Sequence, residues 1–329
     1  MNTATPTVNA WICPILLNPS AAEMIGKTCA YCLILVVSLV GNSFIPVVVY
    51  KTQTLRKPIN FFIVNMAVSD MLCSVLTLPS QLIRMHVGFW LVDGPLGQAL
   101  CKLIHFLADC SSVVSVQSLV LIAMDRYIAV VFPLRFPLIS SKACLFFIVA
   151  TWIVAMAVNS PYLFAYKLVE YPGQWLECEW RWKEAFGEQF SSDANYHLAT
   201  FVVIFYIPVV LLTILYSKLL IKLKTQEHPG EPSVNAEEQR SHRNRNVLKM
   251  SIAIVVTFVL CWVPWTISTL LYYFAWDSTM PCDKLLYYDI TEFMALAYTA
   301  INPSICFLFS SKYRQGLKRL VNCFNAMQE

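Results

Sequence analysis

The amino-acid sequence predicts an all-α protein, a seven-transmembrane helix bundle with a short amphipathic eighth helix on the inner leaflet of the membrane. Its 329 residues are 57% hydrophobic and only 13% charged, whereas soluble domains carry about 25% charged residues. A bilayer core of ~30 Å needs about 20 mostly apolar residues per helix. Seven such runs lie at about 28–50, 59–83, 98–130, 142–164, 198–222, 247–273 and 285–309. They leave no room for a second folded domain.

The distribution of basic residues predicts the orientation of the bundle. If the N-terminus lies outside, the outer side holds seven of the 24 Lys and Arg residues, and the inner side holds 17. This asymmetry agrees with the positive-inside rule. The outer cations are Lys27, Arg84, Lys102, Lys167, Arg181, Lys183 and Lys284. We therefore expect an extracellular segment 1–27, a bundle 28–310 and a cytoplasmic segment 311–329, in the plasma membrane.

Two features are expected on the cytoplasmic side. Segment 227–241 combines Pro, Gly and alternating charge, which is typical of a flexible connection. The basic residues that flank it either anchor the helix ends to lipid headgroups or form a docking surface for a cytosolic protein. Basic and apolar residues recur through 311–324 as in an amphipathic helix that lies on a membrane. Cys323 near its end is a candidate palmitoylation site.

Four of the twelve cysteines fall on the predicted outer side, namely Cys13, Cys101, Cys178 and Cys282. The outer compartment is oxidising, so two disulfides are open to them, in three pairings. Cys101 begins the third apolar run, and Cys178 lies within the long connection between the fourth and fifth runs. A Cys101–Cys178 bridge would hold that connection over the mouth of the bundle. Cys13 and Cys282 are the remaining pair.

Polar groups at membrane depth point to a functional bundle. Asp70 lies inside the second run, and Asn302-Pro303 lies inside the seventh. A carboxylate near the bilayer centre costs on the order of 3 kcal/mol on insertion scales, so it should face the interior and find polar partners. Ser115, Asn42 and Asn302 are candidates to supply them.

Short motifs occur in a fixed order through all seven runs. They are Gly41-Asn42, Asn65 to Asp70, Cys101, Asp125-Arg126-Tyr127, Trp152, Pro161, Cys178, Pro208, Tyr216, Phe258, Cys261-Trp262, Pro264 and Asn302-Pro303. In this order they resemble the motifs of the rhodopsin-like G-protein-coupled receptors, in particular the neuropeptide receptor branch.

The resemblance implies a signalling mechanism and a set of partners. Asp125 restrains Arg126 at rest, and Arg126 meets a heterotrimeric G protein in the active state. Proline removes a helix hydrogen bond, so Pro264 beside Trp262 implies a hinge. The switch and coupling residues are Asp125, Arg126, Tyr127, Tyr216, Phe258, Trp262, Pro264, Asn302 and Pro303. Arrestin and membrane lipids are further expected partners, and no nucleic acid, cofactor or enzymatic activity is expected.

The resemblance also implies a sodium ion, bound by Asp70 and Ser115 in the inactive state. A purely structural hydrogen-bond network is the alternative.

Two departures from the family pattern concern the switch. Cys306 stands where the family usually has tyrosine, and Asn244 replaces an acid that some members use to hold Arg126. We expect these two changes to alter basal activity in opposite directions.

Two ligand classes are disfavoured by single positions. Opsins carry a retinal-binding lysine where Leu296 stands, and amine receptors carry an aspartate where Ala108 stands.

The outer side has 12 acids against seven cations, with several tryptophans and tyrosines. Such a surface either steers and holds a cation or is an interfacial aromatic belt with solvated charges.

A basic or amidated neuropeptide is therefore the leading ligand hypothesis. The resemblance places Asp109 and Glu292 deeper than the other acids, near the pocket level of the family, and no obvious cation lies on neighbouring helices. Segment 175–180 alternates in polarity, as a short hairpin does, and peptide receptors of the family have such a lid. The candidate ligand-binding residues are Gln81, Asp109, Trp265, Thr269, Asp289 and Glu292. A neutral small-molecule or lipid ligand, and a decoy receptor that binds without signalling, are the alternatives.

Overall fold

The computed structural model of the chain describes residues 20–132, 140–173, 175–187, 192–226, 235–276 and 278–325. Cys13 and the connection 227–234 lie outside the described residues. The side chains of Asn244 and Cys323 are also outside them, so the predictions for these positions stay predictions.

Seven helices of the described part are long and apolar enough to cross a membrane, which confirms the all-α, seven-span prediction. We number these spans in chain order: Ala21–Lys51, Pro58–Val87, Gly94–Val131, Lys142–Ala165, Asp193–Lys222, Leu248–Phe274 and Cys282–Phe309. The individual helices are Ala21–Lys51, Pro58–Val87, Gly94–Val131, Ser141–Asn159, Tyr162–Ala165, Trp182–Phe186, Asp193–Thr200, Ile207–Gln226, Asn235–Phe274, Leu285–Phe309 and Ser311–Asn325, with single turns at Gln53–Leu55 and Cys282–Lys284.

Local signals explain where these helices begin, end and bend. The Ser20 side chain accepts a hydrogen bond from the Glu23 amide at 3.1 Å, so span 1 begins at Ala21, a full two turns before the apolar run. Gly88 ends span 2 in a left-handed conformation, φ 81°, which costs glycine little. A π-helical turn at Phe201–Tyr206 precedes Pro208, whose ring cannot take part in regular helix bonding.

The core lies along the inner half of the bundle, where Phe62, Met66, Leu119, Phe258 and Tyr298 are almost completely buried. Spans 1 and 7 approach closely because span 1 has a glycine at the crossing. A Cβ atom on Gly41 would lie 2.8 Å from the ring of Pro303, which is closer than carbon atoms pack.

The C-terminal helix Ser311–Asn325 is the predicted amphipathic eighth helix. It packs on the inner end of span 1, where a Cβ atom on Gly316 would lie 2.5 Å from Val48. The buried Tyr313 hydroxyl donates to Asn60 Oδ1 at 3.2 Å. These contacts fix the direction in which the chain leaves the bundle.

The connection between spans 4 and 5 forms the predicted hairpin. Strand β1, Tyr166–Tyr171, pairs antiparallel with β2, Trp175–Trp180, and Gly173 in the turn has φ 103°. Cys178 of β2 is bonded to Cys101, with their Cα atoms 5.5 Å apart. The prediction of this bridge is confirmed. Cys282 is also disulfide-bonded, while Cys13, its predicted partner, lies outside the described residues.

Candidate functional site

At the inner end of span 3, Asp125 and Arg126 form an ion pair. Arg126 Nε donates to Asp125 Oδ2 at 3.1 Å, and Nη2 contacts the same oxygen. Both side chains are less than one-fifth exposed. A guanidinium does not lose its proton in practice, so the pair holds two compensating charges at the membrane boundary. The resemblance implies such a pair for the resting state, and the role of Arg126 in coupling stays a prediction.

In the middle of the bundle, Asp70 is the centre of a polar network. Its side chain is only 3% exposed. Ser115 Oγ donates to Oδ1 at 3.1 Å, and Asn302 Nδ2 donates to Oδ2 at 2.7 Å. Asn42 was a candidate partner of this carboxylate, but it does not contact it. Its amide donates instead to the Thr299 carbonyl at 2.9 Å and to Ser38. Spans 2, 3 and 7 are thus tied together at Asp70.

Three of the predicted switch residues, Phe258, Trp262 and Pro264, lie on the span 6 helix. The Phe258 ring is fully buried, with its centroid 6.1 Å from the Trp262 ring and 5.4 Å from the Tyr298 ring. The Trp262 indole N–H is buried without a protein hydrogen-bond partner. Pro264 follows inside the span 6 helix. An aromatic column therefore runs along the proline bend and joins spans 6 and 7.

Two residues bear on the contact between two tyrosines that the resemblance implies for the active state. Both lie near the inner end of the bundle. Tyr216 and Cys306 are both buried in the core. The side chain of Cys306 carries no hydroxyl, so a phenol-to-phenol contact with Tyr216 is chemically excluded here.

At the outer end, Glu292 has a cation beside it, which corrects the prediction that none was near. Arg84 Nη2 lies 3.5 Å from Glu292 Oε2 and donates to Gln81 Oε1 at 2.5 Å. The Gln81 amide in turn contacts Glu292 Oε1. The sequence could not reveal this triad because Arg84 and Glu292 lie on different spans, more than 200 residues apart.

Asp289 is paired as well. Lys27 Nζ lies 2.9 Å from Asp289 Oδ2 and 3.0 Å from Glu23 Oε1. Spans 1 and 2 are therefore each joined to span 7 by an ion pair at the outer end.

The other candidate ligand residues lie across the mouth. Asp109 lies on span 3, near Tyr162 of span 4. The Trp265 ring packs against Tyr288 with centroids 5.0 Å apart, and the Thr269 hydroxyl donates to the Trp265 carbonyl at 3.0 Å. Their part in ligand binding stays a prediction.

Comparison with known proteins identifies the family. A family profile described as "7 transmembrane receptor (rhodopsin family)" matches residues 41–305. The chain belongs to this receptor family. Its prediction as a receptor rather than an enzyme is thereby confirmed.

Similar proteins include three whose names refer to peptides. The receptor is 26% identical over 299 residues to the "QRFP-like peptide receptor" of Branchiostoma floridae, covering 89% of this chain and 76% of that one. It is 28% identical over 297 residues to the "RYamide receptor" of Drosophila melanogaster, covering 89% and 62%. It is 28% identical over 294 residues to the "Substance-P receptor" of Mus musculus, covering 89% and 70%.

The receptor's lid is fixed by an aromatic cluster that sequence reasoning missed. Rings from span 4, the hairpin and span 5 meet in it, namely Tyr162, Tyr166, Trp180, Trp182, Tyr196 and His197. Within it, Trp180 and Trp182 stack on one another, with centroids 5.6 Å apart. The density of aromatic residues between 162 and 182 was the only signal in the sequence.

Charges on the hairpin are partly compensated. Arg181 Nη2 lies 2.8 Å from Glu179 Oε2, and Lys167 Nζ lies 3.0 Å from Glu184 Oε2. Lys167 holds the pKa of Glu184 below its ordinary value. Partial burial, with the neighbouring Glu179 carboxylate, raises the pKa of Glu177. Within the described part of the chain, five of the seven outer cations lie in ion pairs. Glu177 and Asp109 are among the acids of the mouth that lie in none of these ion pairs.

Proposed function

We propose that this receptor binds an extracellular peptide with a basic or amidated end and promotes nucleotide exchange on a heterotrimeric G protein. The observation that carries the proposal is the geometry of the mouth. A disulfide holds the hairpin to the outer part of span 3, and acidic residues including Asp109 and Glu292 lie on the spans that form the mouth. A long, partly extended ligand with a cationic end fits such a mouth better than a small apolar one.

The comparisons support the same ligand class. The "QRFP-like peptide receptor", the "RYamide receptor" and the "Substance-P receptor" each align with 89% of this chain. Identities of 26–28% support a peptide as a class but do not select one peptide over another.

The orientation proposed for the receptor places its N-terminus outside the cell, in the plasma membrane. Disulfides persist in oxidising compartments, and the Cys101–Cys178 bridge lies at the end of the bundle opposite Arg126. The basic C-terminal helix Ser311–Asn325 suits the anionic inner leaflet. The palmitate at Cys323 and the docking of arrestin belong to this proposal.

An allosteric sodium ion is part of the proposed mechanism. Asp70 and Ser115 would hold it, in an oxygen-rich site that suits a hard cation. The buried Oδ1 atoms of Asn302 and Asn42 have no hydrogen-bond partner, and acceptors of this kind favour a cation or a water nearby. The described residues contain no cluster of three or more His, Cys, Asp or Glu side chains. A sodium ion needs none, because neutral oxygens complete its coordination. When bound, the ion would compensate the Asp70 charge and stabilise the resting arrangement of spans 2, 3 and 7.

A decoy receptor that binds peptide without signalling is the second candidate, and Cys306 favours it. The family's tyrosine at this position reaches Tyr216 in the active state, and a thiol cannot replace it. A neutral small-molecule or lipid ligand is the remaining alternative.

Screening for signalling separates these functions. Cells that express the full chain are exposed to a library of amidated and free-acid peptides, with calcium and cyclic AMP as readouts. Any active peptide is then tested for nucleotide exchange with purified receptor and G protein. Exchange supports the proposal, saturable binding without exchange supports the decoy, and a response to lipids alone contradicts the peptide assignment.

A further inference from the structure

The Gln81–Arg84–Glu292 triad has a marked asymmetry in exposure. The Glu292 side chain is 17% exposed, whereas that of Arg84 is 66% exposed. The carboxylate is therefore largely shielded from solvent, and the guanidinium reaches it from solvent on a long, flexible stem. Gln81 contacts both partners and orients the Glu292 carboxylate.

We propose that Arg84 is a built-in competitor, which occupies the cation subsite of Glu292 until a guanidinium of the ligand displaces it. This deepens the proposed function by naming the group that is read, and it rests on that function for its physiological meaning. A ligand guanidinium offers Glu292 the same planar donor groups as Arg84. The two cations therefore exclude one another at one carboxylate.

A displaced Arg84 does not lose all electrostatic compensation. Glu177 on strand β2 lies within electrostatic reach of the guanidinium. The Arg84 side chain can thus move away from Glu292 on span 7 and toward the hairpin while Glu177 compensates its charge.

The size of the competition follows from the exposure of the pair. Ion pairs that are half open to water favour the closed form only modestly, by about five to one. Glu292 is then free in about one receptor in six, and the apparent affinity for a guanidinium is reduced by that fraction. Removing Arg84 should raise the affinity about sixfold. A gain is informative, because a substitution that merely damaged the mouth would lower affinity.

The test uses arginine amide as the probe, with citrulline amide as its control. Citrulline carries a neutral urea of nearly the same shape in place of the guanidinium, and both probes share the α-amino group. Binding to the purified full-length receptor is measured from the dependence of the unfolding midpoint on probe concentration. This readout needs neither the natural ligand nor a G protein.

Three variants define the expected result. Arg84→Gln should bind arginine amide about sixfold more tightly than the wild type and leave citrulline amide unchanged. Glu292→Gln should abolish arginine amide binding, alone and combined with Arg84→Gln. Lys27→Gln removes the same charge from the neighbouring Lys27–Asp289 pair, so it should change the affinity less than twofold.

Two results would overturn the inference. One is an Arg84→Gln receptor that binds arginine amide no better than the wild type. The other is an equal gain in Lys27→Gln, which would show a general effect of mouth charge rather than competition at Glu292. The proposed function fails separately, if no peptide activates the receptor while the arginine amide result holds.

Discussion

Replacing Asp70 by asparagine tests the centre of the bundle. An ionised carboxylate at mid-membrane depth costs roughly 2.5–3.5 kcal/mol on insertion scales. Of its roughly four acceptor sites, Ser115 and Asn302 fill two. A sodium ion would take up the remaining capacity and compensate the charge. Asp70→Asn removes the charge and should remove the response to sodium with it.

The expected size of that response follows from mass action. At a sodium concentration tenfold above its dissociation constant, the resting state gains about 1.4 kcal/mol. Unfolding entropy is about 2.1 cal/mol/K per residue, so for 329 residues the midpoint rises by about 2 °C. By linkage, an ion that binds the resting state alone lowers agonist affinity by about tenfold at the same concentration.

The assay compares sodium chloride with choline chloride at constant ionic strength. Unfolding midpoints are measured on the purified receptor for the wild type, Asp70→Asn and Ser115→Ala. Asp109→Asn serves as the matched control, because it removes a carboxylate of the same bundle that takes no part in the hydrogen bonds described for Asp70. The wild type and Asp109→Asn should show the shift, and Ser115→Ala should show less of it. A full shift in Asp70→Asn, or none in the wild type, would refute sodium binding and leave a structural hydrogen-bond network.

Three further predictions concern the two ends of the bundle. Arg126→Ala should abolish agonist-stimulated nucleotide exchange while peptide affinity stays within a few-fold of the wild type, since Arg126 is far from the mouth; full exchange would contradict its role. Cys101→Ser and Cys178→Ser should reduce surface expression or binding equally, because each removes the same bridge, worth ~2–5 kcal/mol; unequal losses would argue against a shared role. The raised pKa of Glu177 means that its contribution to stability falls as pH rises from its ordinary pKa of 4.5 through the raised folded value. The unfolding midpoint of Glu177→Gln should therefore be higher than that of the wild type at about pH 7.5 but not at about pH 4. Parallel pH profiles of the two midpoints would contradict this.

The seven spans were predictable because the membrane imposes one strong rule on sequence. Each span needs a continuous apolar run, and the runs are visible without tertiary information. The predicted ends were less accurate. Spans 1 and 5 begin at residues 21 and 193, before the predicted 28 and 198, because Ser20 and Ser192 cap polar turns. Hydropathy does not register a turn whose stability comes from a cap.

The switch was predictable where its members are neighbours in sequence. Asp125 and Arg126 pair because they are adjacent, and Pro264 bends the helix that carries Trp262. The Asp70 network was predicted in part, since polar residues at membrane depth must meet one another. Which of them meet was not determined, and Asn42 turned toward Thr299 instead.

The mouth was the least predictable region. Counting charges gave an excess of acids, but it could not assign Arg84 to Glu292 or Lys27 to Asp289. Those pairs depend on how spans 1, 2 and 7 rotate about their axes, which no local pattern encodes. The stacking of Trp180 on Trp182 depends in the same way on the fold of the hairpin.

The two arginine pairs of the receptor differ in what can break them. Arg126 is bonded to the residue beside it in the same helix, so movement of one span against another does not separate this pair. A new acceptor has to draw the guanidinium away, and we propose that a docking G protein provides it. Arg84 and Glu292 lie on spans 2 and 7, so their pair responds both to a competing cation and to a relative movement of the spans. Between the two pairs lie Asp70 and its partners, which tie the same spans 2 and 7 together. A cation that takes over Glu292 therefore removes one tie between spans 2 and 7, while the Asp70–Asn302 and Ser74–Thr299 hydrogen bonds remain. The strength of these remaining ties decides how far the change extends inward.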